Sequence, residues 1–189
     1  NDRHEIFYSR NSNITSARSG VFLKEALSSI VAQSFGFEGK VQVVLVEDGS
    51  SDGIGEICAH FAELWPQEIR AVHCSQEDVS AARREGLRYA EGEYVHFMEA
   101  DGKLSSNALE EVHALLSAHS EEVDCAVLPV YYLDRKDREH PLNYRFKSGS
   151  RIAGLREEPA FCQNELASMF IARQALAFLE WGYRHPEDR

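Results

Sequence analysis

No apolar run in this 189-residue sequence approaches the roughly 18–20 residues that a membrane-spanning helix needs. No charged-then-apolar leader opens it, so nothing in the sequence marks the chain for export and a cytoplasmic protein is expected. The four cysteines, Cys58, Cys74, Cys125 and Cys162, form no CxxC pair, which argues against a structural zinc site. The first three sit in apolar or helical surroundings and read as plain buried thiols, in keeping with a reducing compartment. Basic residues are the scarcer charge: 20 Lys and Arg against 31 Asp and Glu leave a net charge of −11. A general nucleic-acid binder needs the opposite surplus, so no nucleic-acid partner is expected. The same deficit makes recognition of an anionic ligand a local matter for a metal ion or a few placed arginines. Repeats and low-complexity tracts are absent, and the sequon Asn13-Ile14-Thr15, without a leader, reads as a chance match.

What is present fits one domain with a full core. After a polar opening broken by a short strand at Glu5–Ser9, the pattern VFLKEALSSIVAQ puts Leu23, Leu27, Ile30 and Val31 on one helical stripe. Val41–Val46 has the length and β-branched content of a buried parallel strand. The helix after it offers Ile57, Phe61 and Leu64 as an apolar face. A strand at Ile69–His73, a helix at Val79–Ala90, a strand at Glu93–Met98, a helix at Ala108–Ala118 capped by Ser106 or Asn107, and a strand at Asp124–Tyr132 follow. Such alternation demands an α/β fold, a mostly parallel sheet with helices on both faces, whose ligands bind beyond the carboxyl ends of the strands. Past Tyr132 the chain is charged and strand-poor, with RIAGL as a short strand and Asn164–Phe178 as a helix. Ending on Pro186-Glu187-Asp188-Arg189 with no closing element, it is expected to continue in a longer protein.

Three segments can carry chemistry. The turn Glu47-Asp48-Gly49-Ser50 leaves a strand end with a carboxylate beside glycine, which suits hydrogen bonding to a base or ribose; an acidic turn with Asp52 capping the next helix is the plainer reading. Glu99-Ala100-Asp101 leaves the end of another buried strand, where two acids can share a divalent cation that binds a diphosphate, although such pairs also arise by chance. Arg83 and Arg84 lie between these turns and either meet phosphates or form a solvated face; being adjacent, they point in different directions.

Taken in order, FLKEALSSIVAQSF, VVLVEDGSSDG, VSAARREGLRYAEGEYVHFM and EADGKLS resemble the family 2 glycosyltransferases over about Val21 to Leu109. The resemblance implies a GT-A (Rossmann-like) fold, a nucleotide-diphospho-sugar donor such as a UDP-sugar, and Mn2+ or Mg2+. Asp48 matches the base-binding acid of the family's Asp-Asp-Gly-Ser turn, with Glu47, Gly49 and Ser50 around it. Arg83 matches the arginine of its Ala-Arg-Asn-x-Gly segment. Asp101 matches the last acid of its Asp-x-Asp motif, with Glu99 in place of the first and Ala100 between them; Asp101 and Glu99 are the implied metal ligands. Farther on, HPLNYRFKSGSRIAGLREEPAFCQNELASMFIARQAL resembles members associated with CDP-glycerol phosphotransferases and wall-polymer synthesis. There a terminal Glu-Asp pair supplies the base that activates the acceptor hydroxyl, matched here by Glu187 and Asp188, or else a polar chain end. Residues 1–130 then form a nucleotide-binding half and 131–189 an acceptor-side half. HEIFYSRN is a poor counterpart of the family's opening strand.

The expected function is an inverting transferase acting on a glycan or polyol-phosphate acceptor in bacterial surface-polysaccharide or teichoic-acid-type synthesis. Peripheral membrane association on the cytoplasmic face is compatible with this, through parts of a longer chain. The altered metal motif favours an alternative, a GT-A-like scaffold that has lost its chemistry. A nucleotidyltransferase would need a Gly-rich, basic opening loop that the sequence lacks.

Overall fold

The computed structural model of the protein describes residues 4–9, 19–47, 53–75, 79–99, 101–119, 121–132, 140–147, 149–154, 156–158 and 168–176. In chain order these form β1 (His4–Ser9), α1 (Ser19–Val31), β2 (Val41–Glu47), α2 (Ile54–Leu64), β3 (Ile69–His73), α3 (Val79–Leu87), β4 (Tyr94–Met98), α4 (Ala108–Ala118), β5 (Cys125–Val127), a 3-10 helix (Pro141–Phe146), β6 (Met169–Ala172) and α5 (Arg173–Leu176). One sheet runs β3-β2-β1-β4-β6-β5, with β1 to β4 parallel and β6 antiparallel to both its neighbours. No helix among the described residues is long and apolar enough to cross a membrane.

Connection geometry explains which face each early helix takes. From β1 the chain steps to β2 and then β3 on one side, and α1 and α2 pack on one face. From β3 it returns past β1 to β4. A right-handed crossover in the reversed direction requires the opposite face, and α3 is there, against Val44, Val46, Val95 and Phe97. The strand order therefore switches between β1 and β4, the place where a crevice opens at the carboxyl edge of such sheets.

β2 is buried on both sides, which is why VQVVLV reads as an unbroken apolar run. Val41, Val43 and Leu45 join the core of α1, α2 and α4, while Val44 and Val46 join that of α3 and α5. β6 repeats this logic: Phe170 and Ala172 face one core, Met169 and Ile171 the other. The helix expected over Asn164–Phe178 is thereby corrected to a strand at Met169–Ala172 followed by the short α5. Short apolar runs carry no period that separates strand from helix, and here sheet pairing decides.

Other expectations shift less. The strand expected to Tyr132 ends at Val127, because Pro129 has no N–H for the ladder, although Leu128 still donates to Ser168 O at 2.8 Å. Residues 151–154 are not strand. Leu64, in the last turn of α2, is 53% exposed, and Ile54 and Cys58 are the residues that helix buries. The N-cap of α2 is Gly53, in the left-handed region at φ 79°, where Asp52 had been expected to cap. The opening strand, a poor match by sequence, holds a central position, paired in register with both β2 and β4. Cys58, Cys74 and Cys125 form no disulfide among the described residues.

Candidate functional site at the carboxyl edge of the sheet

Register brings the two acidic turns to one edge. Tyr8 of β1 lies opposite Leu45 of β2 and Met98 of β4, so Glu47 and Glu99 leave the sheet on either side of the end of β1. Strand alternation sends them to opposite faces. Glu47 is paired in register with His73, whose Nδ1 lies 2.8 Å from Glu47 Oε1, and Cys74 N–H donates to the Glu47 carbonyl at 2.8 Å. Neither bond was visible in the sequence, and together they tie the start of the turn to β3.

Glu99 continues the series Val95, Phe97 on the α3 face and meets Arg83 there. Arg83 Nη2 donates to Glu99 Oε1 at 3.2 Å, and the guanidinium carbon stands 5.7 Å from the centre of the Phe97 ring. The two arginines of α3 diverge as adjacency requires: Arg83 is 22% exposed on its side chain, while Arg84 is exposed. The buried Nε of Arg83 has no hydrogen-bond partner among the described residues. The buried Nε of Arg145 is in the same position, and an unmet buried donor of this kind is costly.

Burial holds the Glu99 carboxyl above its ordinary range; Arg83 opposes the shift and Asp101 adds to it. That last influence means that the Glu99 and Asp101 charges feel one another. Two hard oxygen donors of this kind suit Mg2+ or Mn2+. Among the described residues no group of three or more His, Cys, Asp or Glu gathers to hold a metal. A pair of carboxylates is a donor set that Mg2+ accepts when substrate phosphates and water complete its shell.

Asp101 itself is exposed, on a turn closed by Gly102 N–H donating to Glu99 O at 3.0 Å. A Cβ at Gly102 would stand 3.2 Å from that same carbonyl oxygen, so the close turn favours glycine. The segment after it is held by residues that sequence reasoning missed. Ser29 Oγ accepts the N–H of Leu104 at 3.2 Å, Gln33 Nε2 donates to Ser105 O at 2.8 Å, and Ser34 N–H donates to Ser106 O at 2.8 Å. The one available signal was the polar side chains of Ser29 within α1 and Gln33 just past its end; the Ser34 contact is made by the backbone. Asp48, Gly49, Ser50, Ala100, Glu187 and Asp188 lie outside the described residues.

Residues 14–178 match the family model described as Glycosyl transferase family 2. The chain is 35% identical over 156 residues to the minor teichoic acid biosynthesis protein GgaB of Bacillus subtilis, covering 82% of this chain and 17% of that protein. It is 32% identical over 157 residues to GgaA of the same organism, covering 82% of this chain and 35% of that protein. The chain thus spans well under half the length of either relative. Among solved structures, S. aureus TarS 1–349 superposes with a TM-score of 0.70 at 17% identity, over 98% of this chain and 52% of that one. The same protein in complex with UDP-GlcNAc gives 0.69 over 94% and 47%. At that identity the likeness shows the GT-A fold.

Proposed function

The chain belongs to glycosyl transferase family 2, and on that premise we propose that it transfers a sugar from a UDP-sugar to a hydroxyl of a glycan or polyol-phosphate acceptor, with inversion, in wall-polymer synthesis. The observation that carries this is the carboxyl edge itself: Glu47 on one side of β1, Glu99 and Asp101 on the other, and the half-buried Arg83 with an unmatched donor beside them. The teichoic-acid relatives support the polymer class, and the UDP-GlcNAc complex of TarS supports the donor class.

Each residue then has a task. Asp48 accepts hydrogen bonds from the base, with Glu47 anchoring its turn to His73 and with Gly49 and Ser50 admitting the nucleotide closely. Arg83 offers its guanidinium to the diphosphate. Glu99 and Asp101, with Ala100 between them, would hold Mn2+ or Mg2+. Bound there, the cation supplies positive charge that stabilises the departing diphosphate. Asp188, beside Glu187, removes the acceptor proton; a base opposite the leaving group gives inversion.

In domain terms, residues 1–130 serve the donor and 131–189 the acceptor, within one domain. We place the protein on the cytoplasmic side, consistent with the absence of disulfides among Cys58, Cys74 and Cys125. The second reading, a scaffold without chemistry, draws on the engagement of Glu99 with Arg83. UDP release from a panel of UDP-sugars including UDP-GlcNAc, with and without Mn2+, decides between them. Metal-dependent release abolished by Asp101→Ala supports the enzyme, and no release from any donor supports the scaffold.

A further inference from the structure

Arg83 makes an ion pair of an unfinished kind. Arg151 meets Glu158 in a two-pronged contact, Nη1 to Oε1 at 2.5 Å and Nη2 to Oε2 at 2.6 Å, while the exposed Arg88 reaches Glu85 by one nitrogen at 3.1 Å. Arg83 reaches Glu99 by one nitrogen only, at 3.2 Å, and its buried Nε finds no acceptor among the described residues. Its planar group lies near the flat face of Phe97, a support that lets a guanidinium pivot without losing its contact. Arg84 is exposed, and Lys103, on the far side of Asp101, pairs with Glu25 of α1.

We propose that Arg83 is a resident counter-ion of the acidic turn: it holds Glu99 in the nucleotide-free protein and exchanges that carboxylate for the donor's diphosphate when a divalent cation takes Glu99. This rests on the reading of Glu99 and Asp101 as the cation site. Arg83 is thus a positioning residue with two partners in succession, and it weakens cation binding until the nucleotide is there to receive it. Glu99, with one methylene more than aspartate, reaches Arg83 across the face it shares with Phe97. The departure from the Asp-x-Asp pattern therefore supplies the tether.

The test is Mn2+ binding without nucleotide, read from the electron paramagnetic resonance signal of free Mn2+, on wild type, Arg83→Gln, Arg83→Lys and Arg84→Gln. Arg83→Gln is expected to bind Mn2+ about threefold more tightly, the scale of one half-exposed ion pair. Arg83→Lys, which can still pair with Glu99, and Arg84→Gln, which removes an equal charge one residue away, are expected to stay near wild type. In the same Arg83→Gln protein, calorimetric UDP affinity with Mn2+ present is expected to fall. An unchanged or weaker Mn2+ affinity in Arg83→Gln overturns the inference, as does an equal gain in Arg84→Gln.

A second variant covers failure of Arg83→Gln to fold. Glu99→Gln releases Arg83, so UDP measured in EDTA is expected to bind about threefold tighter than in wild type and tighter than in Asp101→Asn. Equal affinities in all three contradict the exchange. Should wild type bind no UDP even with Mn2+, the functional reading fails first, which separates the two claims.

Discussion

Gln33, buried just past the end of α1, accepts the backbone N–H of Leu109 on its Oε1 at 3.0 Å, so it caps the start of α4 from 76 positions away. The helix has no side-chain cap of its own: Asn107 occupies the N-cap but sends its Nδ2 to Glu111 Oε1 at 2.6 Å. Gln33 Nε2 also donates to Ser29 O and Ser105 O, both at 2.8 Å. One amide therefore ties the entry into α4, at Ser105 and Leu109, to the end of α1.

Replacing that amide by a hydrocarbon of similar size strands the N–H of Leu109 and leaves the carbonyl of Ser105 with the Ala108 N–H at 3.0 Å. Gln33→Leu is expected to lose about 1–3 kcal/mol of stability in urea denaturation, chiefly from the unmet N–H of Leu109. Because the same bonds position the segment after Asp101, UDP affinity with Mn2+ is expected to fall as well. A loss below about 1 kcal/mol would mean that the site relaxes around the change.

His96 is fully buried in β4, stacked on Phe170 at 4.3 Å between ring centres, and donates from Nδ1 to Met169 O at 2.9 Å. Burial lowers its pKa from 6.5 to about 4, against the smaller opposing effect of that hydrogen bond. Between those values the unfolded chain binds a proton that the folded chain refuses. The contribution is therefore whole above pH 6.5 and is lost as pH falls toward 4, by roughly 3 kcal/mol at most. His96→Leu should be less stable at pH 7 yet show a flatter decline between pH 6.5 and 4.5. Parallel stability curves for the two proteins would contradict this.

The assignment of the base separates binding from chemistry. Asp188→Asn is expected to leave UDP affinity with Mn2+ within about twofold while sugar transfer falls by about 10²–10⁴, the usual range for a lost general base. Transfer retained near the wild-type rate would remove Asp188 from the mechanism and return the chain's end to a polar terminus.

How far the sequence alone carries is set by whether a residue's partner is local. The order β1 to β4 with intervening helices is legible because each element has its own period and each acidic turn follows its own strand. What it could not supply is pairing over long separations. The antiparallel insertion of β6 between β4 and β5 joins Val95 to Ile171, and MFIA alone carries nothing to separate strand from helix. For the candidate site, the sequence gives the position of Glu99 and Asp101, but the Arg83–Glu99 pair depends on a right-handed crossover placing α3 over the odd-numbered face of β4. The Glu47–His73 and Gln33–Leu109 bonds likewise join residues 26 and 76 positions apart.

The most direct test of the account is a calorimetric titration of UDP into the protein, with Mn2+ and with EDTA, on wild type and Asp101→Ala. The account predicts binding that strengthens with Mn2+ in wild type and loses that dependence in Asp101→Ala. Equal UDP affinity in all four titrations would contradict the placement of the metal-bound diphosphate at the end of β4.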